Sequence, residues 1–122
     1  MPDRYTIGTS AQVPDGGRLV VDVKDTTIGV FRVAGRLYAY ENRCPHQGGP
    51  VCQGTMLPAV VEVLNAQGVA TGFAWNESDA RIVCPWHGYE FRITTGSHPS
   101  QPRIRLRAVP VHEDNGSIHV EL

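Results

Sequence analysis

The sequence predicts an all-β fold. Short β-branched runs recur between Gly, Pro, Asn and Asp, the spacing of hairpin turns suits strands, and no stretch sustains a helical periodicity. At 122 residues and 41% hydrophobic content, residues 1–122 are expected to form one domain. A chain of that size buries roughly 65% of its unfolded surface.

Residues 5–8 read as a first strand, followed by turn formers through Val13-Pro14-Asp15-Gly16-Gly17. Residues 19–23, 28–33 and 36–40 read as three strands of an antiparallel meander, turned at Lys24-Asp25-Thr26-Thr27 and at Ala34-Gly35. Glu41-Asn42-Arg43 leads into a loop stiffened by Pro45 and Pro50 and freed by Gly48, Gly49 and Gly54. Within 55–80, residues 60–64 and 69–75 read as a hairpin turned at Asn65-Ala66-Gln67-Gly68, first of all an inert decoration and otherwise a partner-docking element through Phe73 and Trp75. Residues 81–83 and 90–93 flank a second loop. In the tail Ile104, Leu106 and Ala108 alternate with Arg103, Arg105 and Arg107, predicting a strand with one apolar face and one row of guanidinium groups. Pro110 marks an edge or a break, and Asp114-Asn115-Gly116 turns into a last strand with Ile118, Val120 and Leu122 inward. His112 and His119 read as exposed strand residues.

A formal charge of -1 with pI near 6.5 argues against nucleic acid and membrane surfaces as partners. No apolar run reaches a membrane span and the first residues lack a signal-peptide core, so a cytoplasmic location is expected. Three cysteines cannot build a secreted disulfide framework.

The chemistry is concentrated in Cys44-Pro45-His46 and Cys84-Pro85-Trp86-His87-Gly88. Each offers a thiol and an imidazole within three positions, a set suited to zinc or to an iron–sulfur cluster. Only Pro45 separates Cys44 from His46, closer than the usual pair of a structural zinc site. Two irons relax the demand that four side chains converge on one atom: one metal can take both thiolates and the other both imidazoles.

The pattern C-x-H followed downstream by C-x-x-H, in Cys44-Pro45-His46-Gln47-Gly48-Gly49-Pro50 and Cys84-Pro85-Trp86-His87-Gly88-Tyr89, resembles the Rieske [2Fe–2S] family, and within it the ferredoxins and oxygenase domains. The resemblance implies an antiparallel sandwich or barrel-like base with a small cluster-binding subdomain at one tip. It implies one [2Fe–2S] cluster per chain on Cys44, His46, Cys84 and His87, with ligand loops at about 42–54 and 82–92 and an inserted hairpin at about 55–80. Ser97-His98-Pro99-Ser100-Gln101-Pro102 resembles the family's third loop over the cluster, with His98 a surface residue. Trp86 is expected to shield the cluster, and Pro45, His46, Gln47, Trp86, His87 and Pro99 to form a docking rim.

Family members of respiratory complexes carry a disulfide between the ligand loops. Here Pro85-Trp86 replaces its second cysteine, which leaves Cys52 a small thiol beside the loop. High-potential members also place Ser and Tyr where this chain has Tyr89 and Phe91, so a potential at the low end of about -150 to +300 mV is expected. The resemblance implies an electron carrier, not an enzyme, between a flavin-dependent reductase and a terminal oxygenase. A small subunit of a nitrite-reductase-like assembly is the alternative, and a zinc-binding interaction module a third. Oligomeric state is not legible in the sequence.

Overall fold

The structure, a computed structural model, describes residues 3–86 and 88–122, and of residues 59–63 and 73–78 the backbone alone. His87 and the side chains of Phe73 and Trp75 therefore lie outside the described residues. In chain order the strands are β1 (Arg4–Thr9), β2 (Arg18–Val23), β3 (Thr26–Val33), β4 (Arg36–Glu41), β5 (Thr55–Leu64), β6 (Ala70–Val83), β7 (Glu90–Arg92), β8 (Val111–Asp114) and β9 (Ser117–Glu121). They form three antiparallel sheets, ordered β1-β9-β8, β2-β3-β4 and β5-β6-β7. The only helical segments among the described residues are short 3-10 turns at Ser10–Gln12 and Val51–Gln53. The all-β expectation holds.

β3 separates two cores because its period-two alternation is apolar on both faces. Ile28 and Val30 join Val13, Val23, Ala39, Val109, Ile118 and Val120 on the side of β1, β8 and β9. Phe31 and Val33 join Tyr40, Val51, Ile82, Phe91, Ile93 and Leu106 on the side of β5 to β7. Cys44, Cys52 and Cys84 belong to this second core. Both φ angles of the Ala34-Gly35 turn are positive, 50° and 81°, which closes β3 onto β4 in two residues and pins their register. Arg32 crosses between layers: its Nε donates to the Val13 carbonyl at 2.7 Å, and its Nη2 to Glu113 Oε2 of β8 at 2.6 Å.

Two expectations change. The hairpin and the strand at 81–83 are not separate elements: β6 runs unbroken from Ala70 to Val83, and β5 starts at Thr55. Thr55 faces Val83 and Met56 faces Ile82, so the hairpin is a direct extension of the strand that delivers the second loop. Pro58, which has no N–H to give, is accommodated where the register slips between Pro58 and Ala59.

Residues 103–108 are also not a strand, despite their alternation. They make only isolated bridges, Arg105 to Ser97 and Ala108 to Tyr40. The reason is that the segment spans two different neighbours, the 96–98 turn and the end of β4, and so has no single ladder partner. Leu106 is buried and the three arginines are exposed as the alternation implies, but Ala108 is exposed as well. β8 begins directly after Pro110, as the edge of its sheet.

Candidate metal centre

The two cysteines sit at matching ends of two sheets, in the loop after β4 and in the loop between β6 and β7. Both are 2% exposed. Their backbones share one hydrogen-bond frame. Cys44 N–H donates to the Gly49 carbonyl and the Cys44 carbonyl accepts from Gly48 N–H, at 2.8 and 2.7 Å. Cys84 N–H donates to the Tyr89 carbonyl and its carbonyl accepts from Gly88 N–H, at 2.8 and 3.0 Å. Gly48 and Gly88, four residues after each cysteine, both take positive φ, 79° and 72°. L side chains resist that region, so the glycines let each loop close.

Cys44 and Cys84 belong to one buried cluster, close enough for each thiol to feel the other electrostatically. Burial pushes the Cys44 thiol up, and Cys84 beside it adds to the effect, while the N–H groups of His46 and Gln47 pull it down. Those N–H groups are oriented to stabilise a thiolate. Gly49 provides the clearance: a Cβ there would stand 2.9 Å from Cys84 Sγ and 2.9 Å from two indole carbons of Trp86. Two facing buried thiols, N–H donors aimed at sulfur and a glycine leaving space beside them fit a thiolate-held iron site. Among the described residues no three His, Cys, Asp or Glu side chains gather around one point.

His46 is exposed, and its ring stacks on Tyr89 at 4.1 Å between centroids and 10° between planes. Tyr89 in turn meets the edge of His98 at 5.7 Å, and Phe91 meets His98 at 6.3 Å. The Nδ1 of His98 accepts from the N–H groups of Ser100 and Gln101, both at 3.2 Å, which assigns its proton to Nε2. Expected at the surface, His98 is thus half-buried and keys the third loop onto Tyr89. Trp86 is 57% exposed, and its indole packs over Gly49. Pro45 and Gln47 are exposed and Pro99 is half-buried, while His87 lies outside the described residues.

Cys52 is fully buried, and a Cβ on Gly29 would strike its sulfur at 2.5 Å. Burial pushes its thiol up to about 12, and its Sγ lies 3.7 Å from the Tyr40 carbonyl, to which it donates. It is a packed, neutral thiol. His112 and His119 face each other across β8 and β9, engaged by Glu121 at 3.1 Å and by Thr6 at 2.8 Å.

Sequence reading missed the fastening of the first loop. Arg18 Nη1 donates to the carbonyls of Cys52, at 2.9 Å, and of Gly54. Asn42 Oδ1 accepts from Cys52 N–H at 2.8 Å. The second loop is fastened at its stem by Arg81, which donates to Glu90 at 2.7 Å and to Asp79 at 3.1 Å. The shared frame did leave a signal, a glycine four positions after each cysteine.

A model of the Rieske [2Fe-2S] domain matches residues 3–111. The chain belongs to the Rieske [2Fe-2S] domain family. Such a Rieske domain carries one [2Fe–2S] cluster per chain and serves as an electron carrier, not as a catalyst. This one is 29% identical over 113 residues to the 3-phenylpropionate/cinnamic acid dioxygenase ferredoxin subunit of Escherichia coli (strain K12), covering 92% of this chain and 87% of that one. The ferredoxin of carbazole 1,9a-dioxygenase from Nocardioides aromaticivorans IC177 has a similar fold (TM-score 0.64, 24% identity, 96% of this chain and 95% of that one). So does a proposed NADH-dependent nitrite reductase small subunit from Mycobacterium tuberculosis (TM-score 0.70, 18% identity, 100% and 96%). A chain of an oxygenase and ferredoxin complex of carbazole 1,9a-dioxygenase superposes with a TM-score of 0.70 at 20% identity. The match covers 98% of this chain but 28% of the longer one. No helix among the described residues is long and apolar enough to cross a membrane.

Proposed function

We propose that residues 1–122 form a single cytoplasmic Rieske-type ferredoxin, with Cys44 and Cys84 holding one iron and His46 and His87 the other. Its ligand loops are then about 42–54 and 82–92. The observation that carries this ligand assignment is the common hydrogen-bond frame around Cys44 and Cys84, which presents two buried sulfurs from two sheets to one space. When bound, the cluster takes up and releases one electron without making or breaking a bond in a substrate.

The chain's own residues supply the setting. The N–H groups of His46 and Gln47 stabilise negative charge on the Cys44 sulfur. Ile82 and Phe91, both fully buried, keep water from the thiolate side. The Tyr89 stack fixes the ring plane of His46 at the surface. Pro45, Gln47 and Trp86 form an exposed rim at which a partner approaches. Phe91 has no hydroxyl to donate toward the cluster, which supports a potential in the lower part of about -150 to +300 mV. By analogy with the dioxygenase ferredoxin subunit it resembles, the chain receives electrons from a flavin-dependent reductase and passes them to a terminal oxygenase.

The test is electron paramagnetic resonance of the dithionite-reduced protein, with iron, sulfide and zinc counted on the same sample. Two irons per chain and a rhombic signal averaging below the free-electron g value are expected. One zinc per chain with a silent spectrum overturns the ligand assignment.

A further inference from the structure

The charge of the molecule is divided between its two ends. Residues 42–61 and 91–112 contain Arg43, Arg92, Arg103, Arg105 and Arg107 and no carboxylate side chain, in a chain whose overall charge is -1. The carboxylates nearest the ligand loops are occupied: Glu41 pairs with Arg107 at 3.2 Å, and Asp79 and Glu90 both pair with Arg81. Arg43, Arg103 and Arg105 are exposed and make no ion pair among the described residues. The other end carries Asp3, Asp22, Asp25, Asp114 and Glu121 on and beside β1, β2, β8 and β9, against Arg4, Arg18 and Lys24, of which Lys24 pairs with Asp3 at 3.7 Å.

Position makes the cationic end matter. Arg105 bridges to Ser97, His98 N–H donates to the Ile104 carbonyl at 2.8 Å, and Leu106 N–H donates to the Gly96 carbonyl at 2.7 Å. Arg103 and Arg105 are therefore carried on the third loop, whose His98 touches Tyr89, which stacks on His46. Arg43 lies on the first loop itself, its Nε 3.6 Å from where a Cβ of Gly48 would stand. Charges interact across about one Debye length, ~10 Å at 0.1 M salt. A partner docking at the tip thus meets the local arginines, not the net charge.

We propose that the arginines of the third loop, with Arg43, form the docking surface for a redox protein whose own electron-transfer face is rimmed by carboxylates. The proposal rests on the Rieske electron-carrier reading and adds the polarity of the partner. Exposed single charges at a rim act on encounter more than on the final contact, so association rate is the property to measure.

The experiment is stopped-flow oxidation of the reduced holoprotein, its two irons per chain verified beforehand. Protein without a cluster would count against the electron-carrier reading and never reach this assay. The oxidants are cytochrome b5, an acidic haem protein, and cytochrome c, a basic one. In each, one electron leaves the protein and reduces one ferric haem. The rate with cytochrome b5 should fall about fivefold between roughly 10 and 200 mM salt, while that with cytochrome c stays level or rises. R103E/R105E should reverse both slopes and R103Q/R105Q should flatten them. These residues are exposed, so both variants are expected to keep the cluster. Slopes that follow the net charge, or that the variants leave unchanged, overturn the proposal. Unchanged slopes with variant-sensitive binding of labelled oligothymidylate would reassign the strip to nucleic acid.

Discussion

The two cysteine loops share a backbone frame but hang from different supports. The loop around Cys44 follows β4 and is held by side chains, Arg18 reaching in from β2 and Asn42 from the loop's own stem. The loop around Cys84 is clasped between β6 and β7, whose ladder pairs Val83 with Glu90 and Ile82 with Phe91, with Arg81 bracing the stem. The same turn can thus be fixed by a few charged hydrogen bonds or by a sheet. The difference is one of redundancy: a short ladder spreads its strength over three residue pairs, whereas the first loop leans chiefly on one arginine.

The largest effect should come from the space the two loops share. Gly49→Val puts branched carbon where Cys84 Sγ and Trp86 already stand. Cluster content should fall to near zero, read as iron per chain, while circular dichroism keeps its β signature because the core beyond β3 is untouched. Full cluster loading in this variant would refute the packing argument.

The next experiment tests the asymmetry directly. Arg18→Ala removes charged donors from two carbonyls of the first loop and should cost about 1–3 kcal/mol in chemical denaturation. It should also hasten cluster loss severalfold in the presence of a chelator. Arg81→Met keeps the β6–β7 ladder and should cost less, about 1 kcal/mol, with little change in the rate of cluster loss. If Arg81→Met releases the cluster faster, the sheet is not the main support of the second loop.

The smallest effect lies away from both loops and serves as a control. Arg32 beside Glu113 holds that carboxyl down to about 2, below its ordinary 4.5. A lowered folded-state pKa adds stability above the unfolded value and loses it as pH falls through the folded one. The contribution of Glu113 is therefore complete above about pH 4.5 and fades toward about pH 2. Glu113→Gln should lower Tm slightly at pH 6 and not at pH 2, in differential scanning calorimetry. Cluster retention at neutral pH should stay as in the wild type.

Local rules read well where a strand's two faces or a turn's φ angles are set by a few adjacent residues. Ala34-Gly35 and Asn115-Gly116 turned the chain where their sequence implied, and Ile118 and Val120 faced inward. Cys44, His46 and Cys84 stood out because few residue types can bind soft metals, and the structure brings the first loop's His46 against the second loop's Tyr89. Residues 103–108 misled because alternation reports which face is buried, not whether a ladder partner exists. The continuity of β6 was hidden by polar Asn76, Glu77, Ser78 and Asp79, which break the apolar pattern without ending the strand. Arg18, 26 residues before Cys44, carries no local mark of the loop it holds.

β3, buried on both faces and paired along both edges, has a consequence for exchange with solvent. Its amides are released only when the two cores come apart together, so in heavy water they should be the last to exchange. β8 lies at an edge over mostly exposed side chains and can open alone. The slowest protons of the molecule therefore measure the joint between base and tip, and the wall common to both is where the chain keeps its longest memory of having folded.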